Sequence, residues 1–148
     1  MLKYWKVILV VLLFTVIIAW MRRREDRVEN YSDELLNTNI VFSGRISSMK
    51  ISSNHNFGVV FIDIDTSTID AFHKILVNSI FPYRIAKKKG EIYTLIPDGI
   101  TVGNKVGVES NKKTIYYYNK LGKKKTEEYI FLVTDPIDIK FIDHNTNF

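Results

Sequence analysis

Hydrophobic and polar positions divide the 148-residue chain into stretches of different rhythm. Residues 7–18 hold eleven Val, Ile, Leu or Phe in twelve positions, Thr15 being the polar one. Extended to residues 4–21, this run predicts a helix of about 27 Å, close to a hydrocarbon core of about 30 Å. Tyr4 and Trp5 at one end and Trp20 at the other suit the interfacial zones of a bilayer. No small-x-small cleavage site precedes Arg22, so the run reads as an uncleaved anchor rather than a removed leader. Residues 22–37 lack Pro and Gly and repeat Val28, Tyr31 and Leu35 at helical spacing, which predicts a short helical stalk.

From residue 39 the period changes to two and β-branched residues dominate. Strands are expected over residues 40–51 and 57–65, with Val60, Ile62 and Ile64 opposing Phe61, Asp63 and Asp65. Ser67 and Asp70 fit a capping box, and Ile69, Phe72, Ile75 and Leu76 follow it at helical spacing, predicting a helix over residues 68–78. Residues 80–86 and 91–96 flank a Lys-Lys-Lys-Gly turn and predict a hairpin. Pro97-Asp98-Gly99 and Gly103-Asn104 are turn signals. Residues 105–110 and 113–119 predict a second hairpin, residues 129–133 another strand, and Ile137, Ile139 and Phe141 alternate once more. The expected fold is mainly β: an N-terminal transmembrane helix, then a small antiparallel β-barrel or sandwich of seven or eight strands with one short helix. The expected organisation is a transmembrane anchor at 1–21, a basic juxtamembrane helical stalk at 22–38, a β-rich domain at 39–142 and a polar tail at 143–148.

Charge then changes the picture. The net charge is +5. Lys3 and Lys6 lie ahead of the apolar run, and Arg22, Arg23, Arg24 and Arg27 follow it against Glu25 and Asp26. Residues 28–148 hold 15 basic and 14 acidic residues, a net charge of +1. The basicity therefore flanks the apolar run instead of marking a nucleic-acid footprint. Four arginines against two lysines place the body on the cytoplasmic side of a single-pass protein in a bacterial inner membrane. Ile, Lys and Asn supply 46 residues against three Ala, a usage expected of an AT-rich bacterial genome. With no cysteine there is no disulfide framework, zinc ribbon or Cys nucleophile.

Candidate chemistry is sparse. Arg22, Arg23, Arg24 and Arg27, with Lys87, Lys88, Lys89, Lys123, Lys124 and Lys125 at expected hairpin tips, are candidates for contact with anionic headgroups. Tyr116 and Tyr118 share a strand face and, with Tyr93 and Tyr129, offer a stacking platform for nucleic acid. Asp63, Asp65, Asp70 and His73 are the candidate metal ligands. His55 and His144 stand alone. No Gly-rich phosphate loop, serine elbow or zinc motif occurs. The strand ending Asp63-Ile64-Asp65-Thr66-Ser67 resembles the first motif of haloacid-dehalogenase-type phosphatases, which implies an attacking Asp63, an acid/base Asp65 and bridging magnesium. Ser67 departs from that motif, and the body lacks the family's α/β rhythm. Val102-Gly103-Asn104-Lys105-Val106 is similar to strand-starting turns of small β-barrels of the oligonucleotide-binding and SH3-like kinds. The whole layout resembles short uncharacterised bacterial membrane-anchored proteins with one β-domain. The reading these features favour is a membrane-anchored, non-catalytic domain, without cofactor or metal, that binds a protein partner or the membrane surface. A small metal-dependent hydrolase and a nucleic-acid-binding barrel are the alternatives.

Overall fold

The structure is a computed structural model that describes residues 4–147, with side chains except at residue 6 and residues 24–30. It divides into two units, Met1–Leu35 and Leu36–Phe148. The first unit is most of one unbroken helix, α1 (Trp5–Leu36), whose apolar side chains from Val7 to Met21 are exposed. Among the described residues, no helix is long and apolar enough to cross a membrane. Fifteen residues stand between Lys6 and Arg22. Their rise is about 22 Å, short of a hydrocarbon core of about 30 Å. The expected transmembrane anchor, the single-pass inner-membrane placement and the cytoplasmic assignment of the body are corrected accordingly.

The second unit is built on one eight-stranded antiparallel sheet: β1 (Val41–Ile51), β2 (Phe57–Ser67), β3 (Ala71–Phe72), β4 (Tyr83–Ala86), β5 (Lys89–Leu95), β6 (Lys105–Glu109), β7 (Thr114–Tyr118) and β8 (Lys124–Tyr129). Their order across the sheet is β3-β4-β5-β2-β1-β6-β7-β8. β3 and β8 are its two edges, so the sheet is open, and the expected barrel or sandwich is corrected to a single open sheet. The sheet is strongly curled nonetheless. Three strand spacings separate β1 from β4, about 14 Å in a flat sheet, yet the rings of Phe42 and Tyr83 lie 5.2 Å apart. Register shifts at Ser43/Gly44 and Ile46/Ser48 on β1 mark where the strand bends.

Curling gives the central strands two covered faces. Phe42, Ile46, Ile62, Ile92, Tyr83, Val106, Val108, Ile115 and Tyr117 are buried on the concave side. Phe57, Val59, Phe61 and Tyr93 form a second cluster on the convex side with Val133 and Ile142. This is why Phe57 through Ile62 are buried without alternation, although Asp63 and Asp65 beyond them are exposed.

Two local elements exchange roles relative to the sequence pattern. The helix expected at 68–78 is absent, and β3 pairs there with β4. The Ser67 hydroxyl turns back on Ile69, accepting from its N–H at 3.2 Å and donating to its carbonyl at 2.7 Å, so it caps nothing. The alternating Ile137, Ile139 and Phe141 instead belong to a helix, α2 (Pro136–Asn145). Asp135 caps it by accepting from the Ile137 N–H at 2.7 Å, and Pro136 takes the first turn, where no donor is needed. Cap chemistry outweighs a three-residue alternation here. The Gly103-Asn104 turn does lead into β6, with Asn104 buried and its side chain accepting from the Thr101 N–H at 3.1 Å.

Candidate functional site

Antiparallel pairing aligns three rows of side chains across β1, β6, β7 and β8. One row is Val41, Glu109, Thr114 and Tyr129. The next is Ser43, Gly107, Tyr116 and Glu127. The third is Arg45, Lys105, Tyr118 and Lys124. All lie on the face opposite buried Phe42, Val106, Val108 and Tyr117, because successive side chains alternate. At the centre Gly107 contributes no side chain. The result is a cleft of about 370 Å³ bordered by Val41, Ser43, Lys105, Glu109, Tyr116 and Tyr118. A Cβ on Gly107 would meet Ser43 Cβ at 3.7 Å and Tyr118 Cε2 at 4.0 Å, ordinary contacts, so the space is not forced by packing.

Two lysines around this cleft are paired with carboxylates, while Arg45 and Lys105 of the third row form no ion pair among the described residues. Lys124 pairs with Glu127 and sits 4.9 Å over the Tyr116 ring. Lys112 pairs with Glu109 at 2.7 Å. Hydrogen bonds to these carboxylates hold both ammonium groups above the ordinary lysine range. What remains is an aromatic floor with mixed-sign polar borders.

The other candidates scatter. Lys87 and Lys88 form the β4–β5 turn, while Lys89 is already in β5 and pairs with Asp63. Lys123 lies in the β7–β8 loop, Lys124 is committed to Glu127, and Lys125 donates to the Gly99 carbonyl. The two lysine groups belong to opposite wings of the sheet, since β2, β1, β6 and β7 stand between β5 and β8. Arg22 and Arg23 are exposed on α1, and the side chains of Arg24 and Arg27 lie outside the described residues. Asp65 is exposed on β2, and Asp70 and His73 flank β3, so the shared helical face assigned to them does not exist. Among the described residues, no three His, Cys, Asp or Glu come together to hold a metal ion. His55 is exposed in the β1–β2 loop, and His144 Nδ1 meets the Lys140 carbonyl at 2.7 Å.

One group escaped the sequence reading. Glu91 on β5 is fully buried. Its carboxylate accepts from the Tyr93 hydroxyl at 2.7 Å, the Thr146 hydroxyl at 2.6 Å and the Asn147 main-chain N–H at 2.7 Å. Burial first, and then the neighbouring Glu91, push the Tyr93 phenol far above its ordinary range. Arg84 on β4 stands opposite Glu91 in register. Glu91 lines a cavity of about 250 Å³ together with Ser47, Phe61 and Asn147, and its partners Tyr93 and Thr146 border another of about 190 Å³ with His73. The only hint in the sequence was an acid in the middle of an apolar strand, two residues before Tyr93. No protein-family model, curated protein or solved structure matches the chain.

Proposed function

We propose that the sheet domain is a non-catalytic binding module that recognises a protein partner through the Tyr116–Gly107–Tyr118 cleft. The observation that carries the reading is the gap at Gly107 between two tyrosines on an otherwise fully dressed strand face. Tyrosines supply large contact area with little loss of side-chain freedom and a polar tip, which is why they are enriched in protein interfaces. Val41 adds an apolar border, and Ser43, Lys105 and Glu109 add a polar one. A cleft of this size accepts one large side chain of a partner. Glu109 and Glu127 on the same face favour a protein over nucleic acid, because carboxylates repel a phosphate backbone.

The test is a photo-crosslinking amino acid at position 118 of the full chain, expressed in its native cells. A discrete protein adduct is expected, and Gly107→Trp, which fills the cleft, should abolish it. An adduct that disappears on nuclease treatment, or one indifferent to Gly107→Trp, would overturn the proposal.

A further inference from the structure

The convex groove beneath α2 has a property that the tyrosine cleft lacks: it already holds an occupant, seated by apolar side chains and tied at its ends by polar bonds. Among α2's own residues, Ile142 is the fully buried apolar one, Ile139 and Phe141 are partly buried, and Ile137 is 62% exposed. The helix is also fixed at its ends. The Asn54 side-chain amide donates to Asp138 at 2.9 Å near the N-terminus. Lys50 Nζ donates to the Asn145 carbonyl at 3.0 Å near the C-terminus. Beyond it, Thr146 and Asn147 deliver a hydroxyl and a main-chain N–H to the two oxygens of Glu91.

A helix of ten residues is marginal by itself in water, so these attachments decide whether α2 stays folded on the sheet. Opening it need not strand the carboxylate. The cavity of about 250 Å³ that Glu91 lines has room for water to replace the lost donors, and Tyr93 keeps its bond from within the sheet.

We propose that the groove formed by Phe57, Phe61 and Tyr93, with Glu91 at its end, is a receptor site for an amphipathic helix followed by a donor-bearing tail, and that α2 occupies it in cis as a latched, releasable lid. Thr146 and Asn147 are the latch and Glu91 is the catch. The site is separate from the tyrosine cleft and stands without it.

The experiment uses the full chain carrying Thr146→Ala with Asn147→Pro, which removes both tail donors and leaves Glu91 intact. Residue 146 already has φ −69° and ψ 152°, a conformation that a following proline accepts. Two quantities are read: amide hydrogen exchange, and anisotropy of a labelled synthetic peptide of residues 135–147. Losing two hydrogen bonds to a carboxylate should speed exchange in α2 by about tenfold or more while β2 and β5 stay protected. The peptide should bind the double variant about tenfold or more tighter than the wild-type chain, and a peptide carrying the same two substitutions should bind weakly. Unchanged α2 exchange, loss of β2 and β5 protection together with α2, or equal peptide binding by both chains would each overturn the proposal.

Discussion

Tyr83 on β4 packs its ring 5.2 Å from Phe42 on β1, although β5 and β2 stand between those strands in the sheet. The Tyr83 hydroxyl completes the curl by bonding Ser110 at 2.5 Å and Thr38 at 2.8 Å. Tyr83→Phe keeps the ring and removes these bonds, leaving the buried Ser110 hydroxyl short of a partner. Urea unfolding should show a loss of about 1–3 kcal/mol. Tyr83→Ala, which also opens a cavity among Phe42, Phe72 and Phe81, should cost about 3–5 kcal/mol.

Tyr117 presents the opposite case. Its ring is fully buried on the concave side, and among the described residues its hydroxyl has no hydrogen-bond partner. Tyr117→Phe removes an unmatched polar atom and should leave stability unchanged or raise it by about 1 kcal/mol. A loss above that in thermal or urea unfolding would contradict the assignment.

Three buried phenols also set a pH limit. Burial raises the pKa of Tyr83, Tyr93 and Tyr117, with Glu91 adding to the shift at Tyr93 and Glu128 at Tyr117. The folded chain thus holds these groups neutral where the unfolded chain ionises near pH 10. Their contribution is fully present below about pH 10 and is lost as pH rises through the folded values. Phenolate absorbance should show a rapid class of tyrosines and a delayed class that titrates only with unfolding. Tyr117→Phe should move that alkaline transition to higher pH; a single class titrating reversibly near pH 10 would refute the account.

Two glycines separate packing from binding. A Cβ on Gly44 would lie 2.2 Å from the Asp63 carbonyl oxygen, where β1 bends against β2. Neither backbone can yield easily, so Gly44→Ala should destabilise by about 3 kcal/mol or more. Gly107→Ala meets only ordinary contacts and should change stability by about 1 kcal/mol at most. Comparable losses at both sites in urea unfolding would show that the Gly107 gap is structural.

Asp63 pairs with Lys89 where both side chains are more than half exposed. Asp63→Asn should therefore shift stability by no more than about 1 kcal/mol. Calorimetry with magnesium should show no difference between wild type and variant; a metal-binding heat lost in the variant would revive the hydrolase alternative.

The strands were legible where period and turn agreed. Phe57 to Asp65 announced β2, and Gly103-Asn104 announced β6. The failures have identifiable physical sources. Ser67 looked like a helix cap because the hydroxyl's real partner, Ile69, is indistinguishable from a cap partner in sequence. Ile137, Ile139 and Phe141 alternate like a strand over three positions only, whereas Asp135-Pro136 just before them starts a helix. Lys124 and Lys125 carry the pattern of a charged turn, yet they belong to β8, where charged side chains guard an exposed edge. The apolar run reaches an anchor's length only if Tyr4 and Trp5, beyond Lys6, are counted in it. The tyrosine face was half visible: alternation put Tyr116 and Tyr118 together, but only the pairing of β6 with β7 sets Gly107 between them and Ser43. Glu91 is nearly hidden in the sequence, since two of its three donors lie more than fifty residues away.

The strand order β3-β4-β5-β2-β1-β6-β7-β8 also separates local strand pairings from distant ones. β1 with β2, β4 with β5, and β6 through β8 are local hairpins and meanders that can close early. Among the described residues, only two ladders, β2 with β5 and β1 with β6, join distant segments, and both are anchored on the same central hairpin. Loop-closure entropy therefore falls twice, on one docking surface, once for each wing. The β1–β2 hairpin is the common template, and a chain in which it forms slowly delays both wings together.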